Sequence, residues 1–149
     1  MSEQTMRAVL RLLVVAAAIE HRLDPTLTSV HGISLQDMLL LLNLARSPLQ
    51  RMRRVDVGTA MNIGPSSVSH LGDPLEKEGL VRKEFDSRDA RVAYMALTDS
   101  GKKRLKEAQG TLEELSRQLF EERWTAGDLD GFIARLGQLA YGSTSKAIG

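Results

Sequence analysis

The chain has 149 residues, 42% of them hydrophobic, enough apolar material for the core of one ordinary domain. A formal net charge of +1 excludes a nonspecific polycation and leaves room for a local basic surface. The absence of cysteine excludes a disulfide framework, thiolate ligation and a cysteine redox switch.

Val9, Leu12, Leu13, Ala16, Ala17 and Ile19 fall at helical spacing, so a helix is predicted from about Thr5 to Arg22, with Asp24-Pro25 marking its end or a nearby turn. Ser34 is placed to cap a second helix, Leu35 to Ala45, whose Met38, Leu39, Leu41 and Leu42 read as core, and Ser47-Pro48 closes it. The apolar runs Leu12 to Ile19 and Met38 to Leu42 are too short to cross a bilayer. The N-terminus also lacks the basic start, apolar run and cleavage site of a signal peptide, so a cytoplasmic protein with no membrane partner is expected.

A basic stretch, Arg51-Met52-Arg53-Arg54, leads into a helix near Val55 to Met61, and Asn62-Ile63-Gly64 forms a turn. Pro65 suits a first helical position, where its missing amide proton has no partner to lose. The helix Ser66 to Glu78 then buries Val68, Leu71 and Leu75 and leaves Ser66, Ser67, Ser69, His70 and Asp73 on open faces. Gly79 is a left-handed terminator. Two short strands, Leu80 to Glu84 and Val92 to Leu97, flank the polar turn Asp86-Ser87-Arg88-Asp89-Ala90-Arg91. Thr98-Asp99-Ser100-Gly101 opens a long helix, roughly Ser100 to Phe120, with Leu105, Ala108, Leu112, Leu115 and Leu119 at helical spacing. Thr125 with Asp128 caps a last helix, Leu129 to Tyr141, before a frayed Gly-Ser-Thr-Ser tail. No internal repeat is found.

Helix, turn, helix and charged hairpin in that order read as a winged helix-turn-helix, which sets one helix in the major groove of DNA and a basic loop beside it. Segment charges agree: Arg46 to Arg91 carries 9 basic and 7 acidic residues, or +2, against 3 and 4 before it and 8 and 8 after it. The broad apolar faces of the terminal helices point to a two-fold dimer that presents two recognition helices to two half-sites. The alternative is that these helices complete a monomeric core.

The chain resembles the MarR family of bacterial transcription regulators. The resemblance rests on the helix Leu35 to Ala45, Val57-Gly58-Thr59-Ala60-Met61, Gly64-Pro65-Ser66-Ser67-Val68-Ser69-His70, Leu75-Glu76-Lys77-Glu78-Gly79-Leu80-Val81, the wing Asp86 to Arg91, and Leu97-Thr98-Asp99-Ser100-Gly101. It implies a mainly α fold, a winged helix-turn-helix with long N- and C-terminal dimerisation helices. The DNA-binding lobe would span 34–99 and the dimerisation helices 1–33 and 100–149. It also implies a homodimer that binds double-stranded DNA at a pseudo-palindromic operator, a ligand-responsive repressor released by a small aromatic or anionic effector, with no cofactor. Three positions depart from the family pattern: Gly64 where serine is common, His70 where arginine is frequent, and Pro74 inside the recognition helix, where a bend is expected.

The DNA-binding candidates follow from this arrangement. Ser66, Ser67 and Ser69 offer hydroxyls to phosphates or base edges, and His70 lies beside them. Arg88 at the hairpin tip suits the minor groove, and Arg91 can bind phosphate or pair with Asp89. Arg53 and Arg54, with Arg51, form a basic approach to the DNA flank or a solvated loop. His21 and His31 can meet near Asp24, but their spacing is that of no metal motif, and no metal site is expected. Phe120 and Trp124 read as core anchors. Asp86, Asp89 and the neighbours Ser69-His70 assemble no catalytic constellation, because adjacent helical residues point apart, so no enzyme is expected. The competing nonenzymatic reading is a winged-helix protein-interaction module without specific DNA binding, supported by His70, Pro74 and the modest local charge.

Overall fold

The computed structural model describes residues 1–120 and 123–139. The end of the expected last helix at Tyr141 and the Gly-Ser-Thr-Ser tail lie outside the described residues.

The first helix, α1 (Ser2–His31), is longer than expected and runs straight through Pro25. Proline inside a helix costs about 3 kcal/mol, but Leu23 and Leu27 on either side of it are 4% and 0% exposed. Burying each such leucine contributes roughly 1.5–3 kcal/mol, so packing outweighs the local defect. Asp24, read as part of a stop, instead accepts the amide of Leu35 at 2.6 Å and ties α1 to the start of α2 (Leu35–Ala45). The stop is Gly32, left-handed at φ 69°, whose amide donates to Thr28.

Ser34 and Asp37 close a reciprocal capping box on α2. Met38, Leu41 and Leu42 are buried as expected, but Leu40 is fully buried whereas Leu39 is only partly so. The cause is position: α2 is wrapped by α1, the long helix that follows the wing, the sheet and the helix-turn-helix, so its apolar surface is wider than one stripe.

A turn at Pro48–Gln50 leads to β1 (Arg51–Met52), a strand where the sequence predicts only a basic stretch. Two residues carry no periodicity, and β1 is defined only by its antiparallel partner, through Arg51 opposite Ala96 and Met52 opposite Met95. Next come α3 (Arg54–Met61) and α4 (Pro65–Lys77), with Asn62 left-handed at φ 56° between them. A Cβ at Gly58 would stand 2.9 Å from the Ile63 carbonyl oxygen, so glycine is what lets this turn close. α4 starts at Pro65 as read and continues as one helix past Pro74. Val68 and Leu75 are buried, with Leu71 partly so.

The wing is β2 (Val81–Phe85) and β3 (Ala93–Leu97), antiparallel from Val81 opposite Leu97 to Phe85 opposite Ala93, in sheet order β1-β3-β2. α5 (Asp99–Phe120) follows, then α6 (Ala126–Gln138), which begins at the Thr125–Asp128 capping box, earlier than expected. One core joins Leu23, Leu27 and Ile33 of the N-terminal segment to α2, Val57, Val68, the wing and Leu105 of α5, so it crosses the 34–99 boundary on both sides. Trp124 is not a core anchor: it is 39% exposed and packs locally, edge-on to Phe120 at 5.5 Å and tilted against Phe132 at 5.1 Å. Among the described residues no helix is long and apolar enough to cross a membrane.

Candidate nucleic-acid interface

α4 presents Ser66, Ser67 and His70 exposed, with Ser69 half-buried. Its N-cap, Gly64, offers no side chain, so no capping group covers the amides at the helix start. Among the described residues, the hydroxyls of Ser66 and Ser67 and the ring of His70 have no hydrogen-bond partner. Ser69 differs. Its oxygen accepts from Arg54 Nη1 at 3.3 Å, and Arg54 Nη2 reaches Asp73 at 3.2 Å.

The wing tip is built by two aspartates. Asp86 accepts the amides of Arg88 at 2.7 Å and Asp89 at 3.1 Å, which shapes the turn and holds the Asp86 carboxyl below its ordinary pKa. Asp89 is lowered in the same direction by the side chain and then the amide of Arg91, whose Nε lies 3.0 Å away. The two arginines of the wing tip therefore separate. Arg91 is engaged within the turn, whereas the side chain of Arg88 has no hydrogen bond or ion pair among the described residues.

Arg53 caps α3 with its backbone and is exposed. It borders a groove of about 330 Å³ between α3 and the wing, together with Lys83, Arg91, Tyr94 and Glu76. Arg51 is spent on the fold: it bonds Glu84 at 3.2 Å and lies 4.1 Å above the Tyr94 ring. Burial opposes ionisation of Glu84, but Arg82 and Arg51 outweigh it and lower its pKa.

The structure thus brings Ser66, Ser67, His70, Arg53 and Arg88 to the exposed surface of α4, α3 and the wing, and ties Arg54, Ser69 and Arg91 to neighbours in the same chain. Asp24 and His31 do not meet as metal ligands. Asp24 holds α2, and His31 Nε2 lies 2.6 Å from Thr111 Oγ1 on α5. Sequence reading missed Arg104, which donates to the His31 carbonyl at 2.8 Å and lies 3.6 Å from Glu78, joining α5 to the ends of α1 and α4. Arg104 sits in the cationic run Lys102-Lys103-Arg104 on a polar helix face, which gave no signal for its role.

No family model matches the chain. Solved structures do. AbsC, a MarR family transcriptional regulator from Streptomyces coelicolor, is 25% identical, with 93% of each chain covered and a TM-score of 0.76. CouR from Rhodococcus jostii RHA1, solved with p-coumaroyl-CoA, is 21% identical, covers 86% of this chain and 87% of its own, and superposes with a TM-score of 0.73. Sco3205, a MarR family transcriptional regulator from Streptomyces coelicolor solved in complex with DNA, is 31% identical, over 91% of this chain and 86% of its own, with a TM-score of 0.74. Identity at that level over nearly the whole chain, on the same helix-turn-helix and wing, places the protein in the MarR family of transcriptional regulators.

Proposed function

We propose that the protein is a sequence-specific regulator that binds double-stranded DNA as a homodimer on a pseudo-palindromic operator, and works as a repressor released by a small aromatic or anionic effector. The observation that carries this reading is the pairing of an uncovered helix start, with Ser66 and Ser67 exposed, and the unpaired Arg88 at the tip of a wing fixed by its own aspartates. α4 enters the major groove, where Ser66, Ser67, Ser69 and His70 meet phosphates and base edges, while Arg88 enters the flanking minor groove. Arg53 and Arg91 line the groove beside the wing, within reach of the backbone. Sco3205, solved with DNA, and CouR, solved with p-coumaroyl-CoA, support the DNA and effector parts respectively.

Dimerisation is supported by the half of α1 before Ile19, where Val9, Leu10, Leu13 and Val14 are all more than half exposed. In α6, Ile133 is likewise 51% exposed. Apolar surface of this extent is covered in a stable protein. Such a regulator works beside the chromosome, in the cytoplasm.

Selection of bound fragments from genomic DNA by the purified protein tests the reading. The regulator is expected to recover a pseudo-palindrome and to prefer it over a shuffled duplex by at least about a thousandfold. Equal binding to both would favour the protein-interaction module, whose support from Pro74 is weakened by the continuity of α4.

A further inference from the structure

Arg54 stands at the first position of α3, yet its guanidinium is bound to α4: Nη1 to Ser69 Oγ at 3.3 Å and Nη2 to Asp73 Oδ1 at 3.2 Å. Ser69, Gly72 and Asp73, spaced by three and four, share one face of α4. A Cβ at Gly72 would lie 3.8 Å from Arg54 Nη1 and 2.6 Å from Met95 Cε. The bare glycine therefore leaves this flank of the helix open both to the arginine of α3 and to the methionine of β3.

Two chemical consequences follow. A guanidinium only donates, so the Ser69 oxygen must accept from it, and the one hydroxyl proton is left to donate elsewhere. Asp73, with its side chain 60% exposed, places a carboxylate on the helix that meets phosphates, where an unpaired negative charge repels the duplex. The guanidinium cancels that charge within the protein.

The geometry points to Arg54 as a positioning residue for DNA recognition: it masks Asp73 and sets Ser69 as a donor, without itself contacting DNA. This role rests on the DNA-binding reading above. It differs from a basic approach to the DNA flank, in which Arg54 would meet a phosphate directly.

The test measures binding to the duplex selected by the wild-type protein, across a salt series, for Arg54→Ala and for Arg54→Ala/Asp73→Asn, with thermal unfolding alongside. Arg54→Ala is expected to weaken binding roughly tenfold. The double variant, which removes the exposed carboxylate as well, recovers most of that loss and keeps the wild-type salt slope. A loss that Asp73→Asn does not repair, with a slope reduced by about one unit, identifies a direct phosphate contact and overturns the proposal. Unchanged affinity of Arg54→Ala overturns it equally. Arg54→Gln, which keeps part of the side chain and an amide donor but removes the charge, replaces the alanine variant if that one unfolds. A wild-type protein with no preferred duplex would refute the DNA-binding reading itself and this role with it, an outcome distinct from failure of the Arg54 variants on a duplex that the wild type binds.

Discussion

Gly101, in the first turn of α5, packs directly on the carbonyl of Leu80: a Cβ at residue 101 would overlap that oxygen and press on Leu97 Cδ1 at 2.7 Å. The close approach lets Thr98 lock the junction between wing and long helix, its hydroxyl donating to the Gly79 carbonyl at 2.6 Å and accepting the Gly101 amide at 3.0 Å. Because the obstacle is backbone and cannot swing aside, Gly101→Ala is expected to destabilise the protein by about 3 kcal/mol, the upper end of an overpacking cost. Urea unfolding measures this, and a wild-type midpoint would show that the junction is loose.

The exposed apolar half of α1 predicts the assembly state. Light scattering at micromolar protein is expected to give about 33 kDa, twice the 16.4 kDa chain. Leu13, 62% exposed, is a direct probe: Leu13→Glu should shift the mass toward the single chain. A wild-type protein that stays monomeric at every concentration excludes the dimer.

Arg88 is the arginine of the wing tip without an acidic partner among the described residues. Arg88→Ala is expected to weaken operator binding about tenfold, roughly 1.4 kcal/mol, and to lower the salt slope by nearly one unit if it meets phosphate. Arg91→Ala should cost less, since Arg91 is already bonded to Asp89. Equal losses would place both arginines on the DNA alike, and a folded Arg88→Ala dimer with unchanged affinity would remove the wing from the interface.

Ser67 and Ser69 lie outside the buried stripe of Val68 and Leu75, so the Ser67→Ala/Ser69→Ala variant is expected to keep its core and its assembly state. Its operator preference should fall. Binding to the operator and to a shuffled duplex separates the roles: unequal losses mark base-dependent recognition, equal losses mark backbone positioning, and wild-type binding to both excludes the two serines.

The wing carries its own pH dependence. Arg88 and Asp89 amides lower the pKa of Asp86, and the Arg91 side chain and amide lower that of Asp89. Folded values below the unfolded ones mean that the stabilisation is fully present above the ordinary aspartate pKa of about 3.9 and is lost as the pH falls through the lower folded values. Carboxyl chemical shifts followed by NMR should therefore show both groups titrating below that ordinary value. A midpoint at or above it would mean that the turn is not held by its aspartates in solution.

The helix-turn-helix was legible in the sequence because its signals are local: Pro65 at a helix start, Gly79 at a helix end, and Val68 and Leu75 on one face two turns apart. The wing was legible from the polar turn between two short strand signals, Leu80 to Glu84 and Val92 to Leu97. α1 was cut short at Asp24-Pro25 because the forces that carry it onward, burial of Leu23 and Leu27 and the bond from Leu35 to Asp24, come from distant elements. β1 was invisible for the same reason, being two residues that exist as a strand only beside β3. At the site, residue type gave the list of cations but not their partners. The pairing of Arg54 with Asp73 joins two helices across nineteen positions and has no spacing rule.

Several cations around α4 and the wing have an acidic neighbour in the same chain: Arg51 and Arg82 share Glu84, Arg54 has Asp73 and Arg91 has Asp89. Attachment to arbitrary duplex grows with the number of counterions released, and groups already neutralised release few. A regulator built this way dwells briefly on each irrelevant stretch of chromosome, and the large surplus of such stretches sequesters little of it.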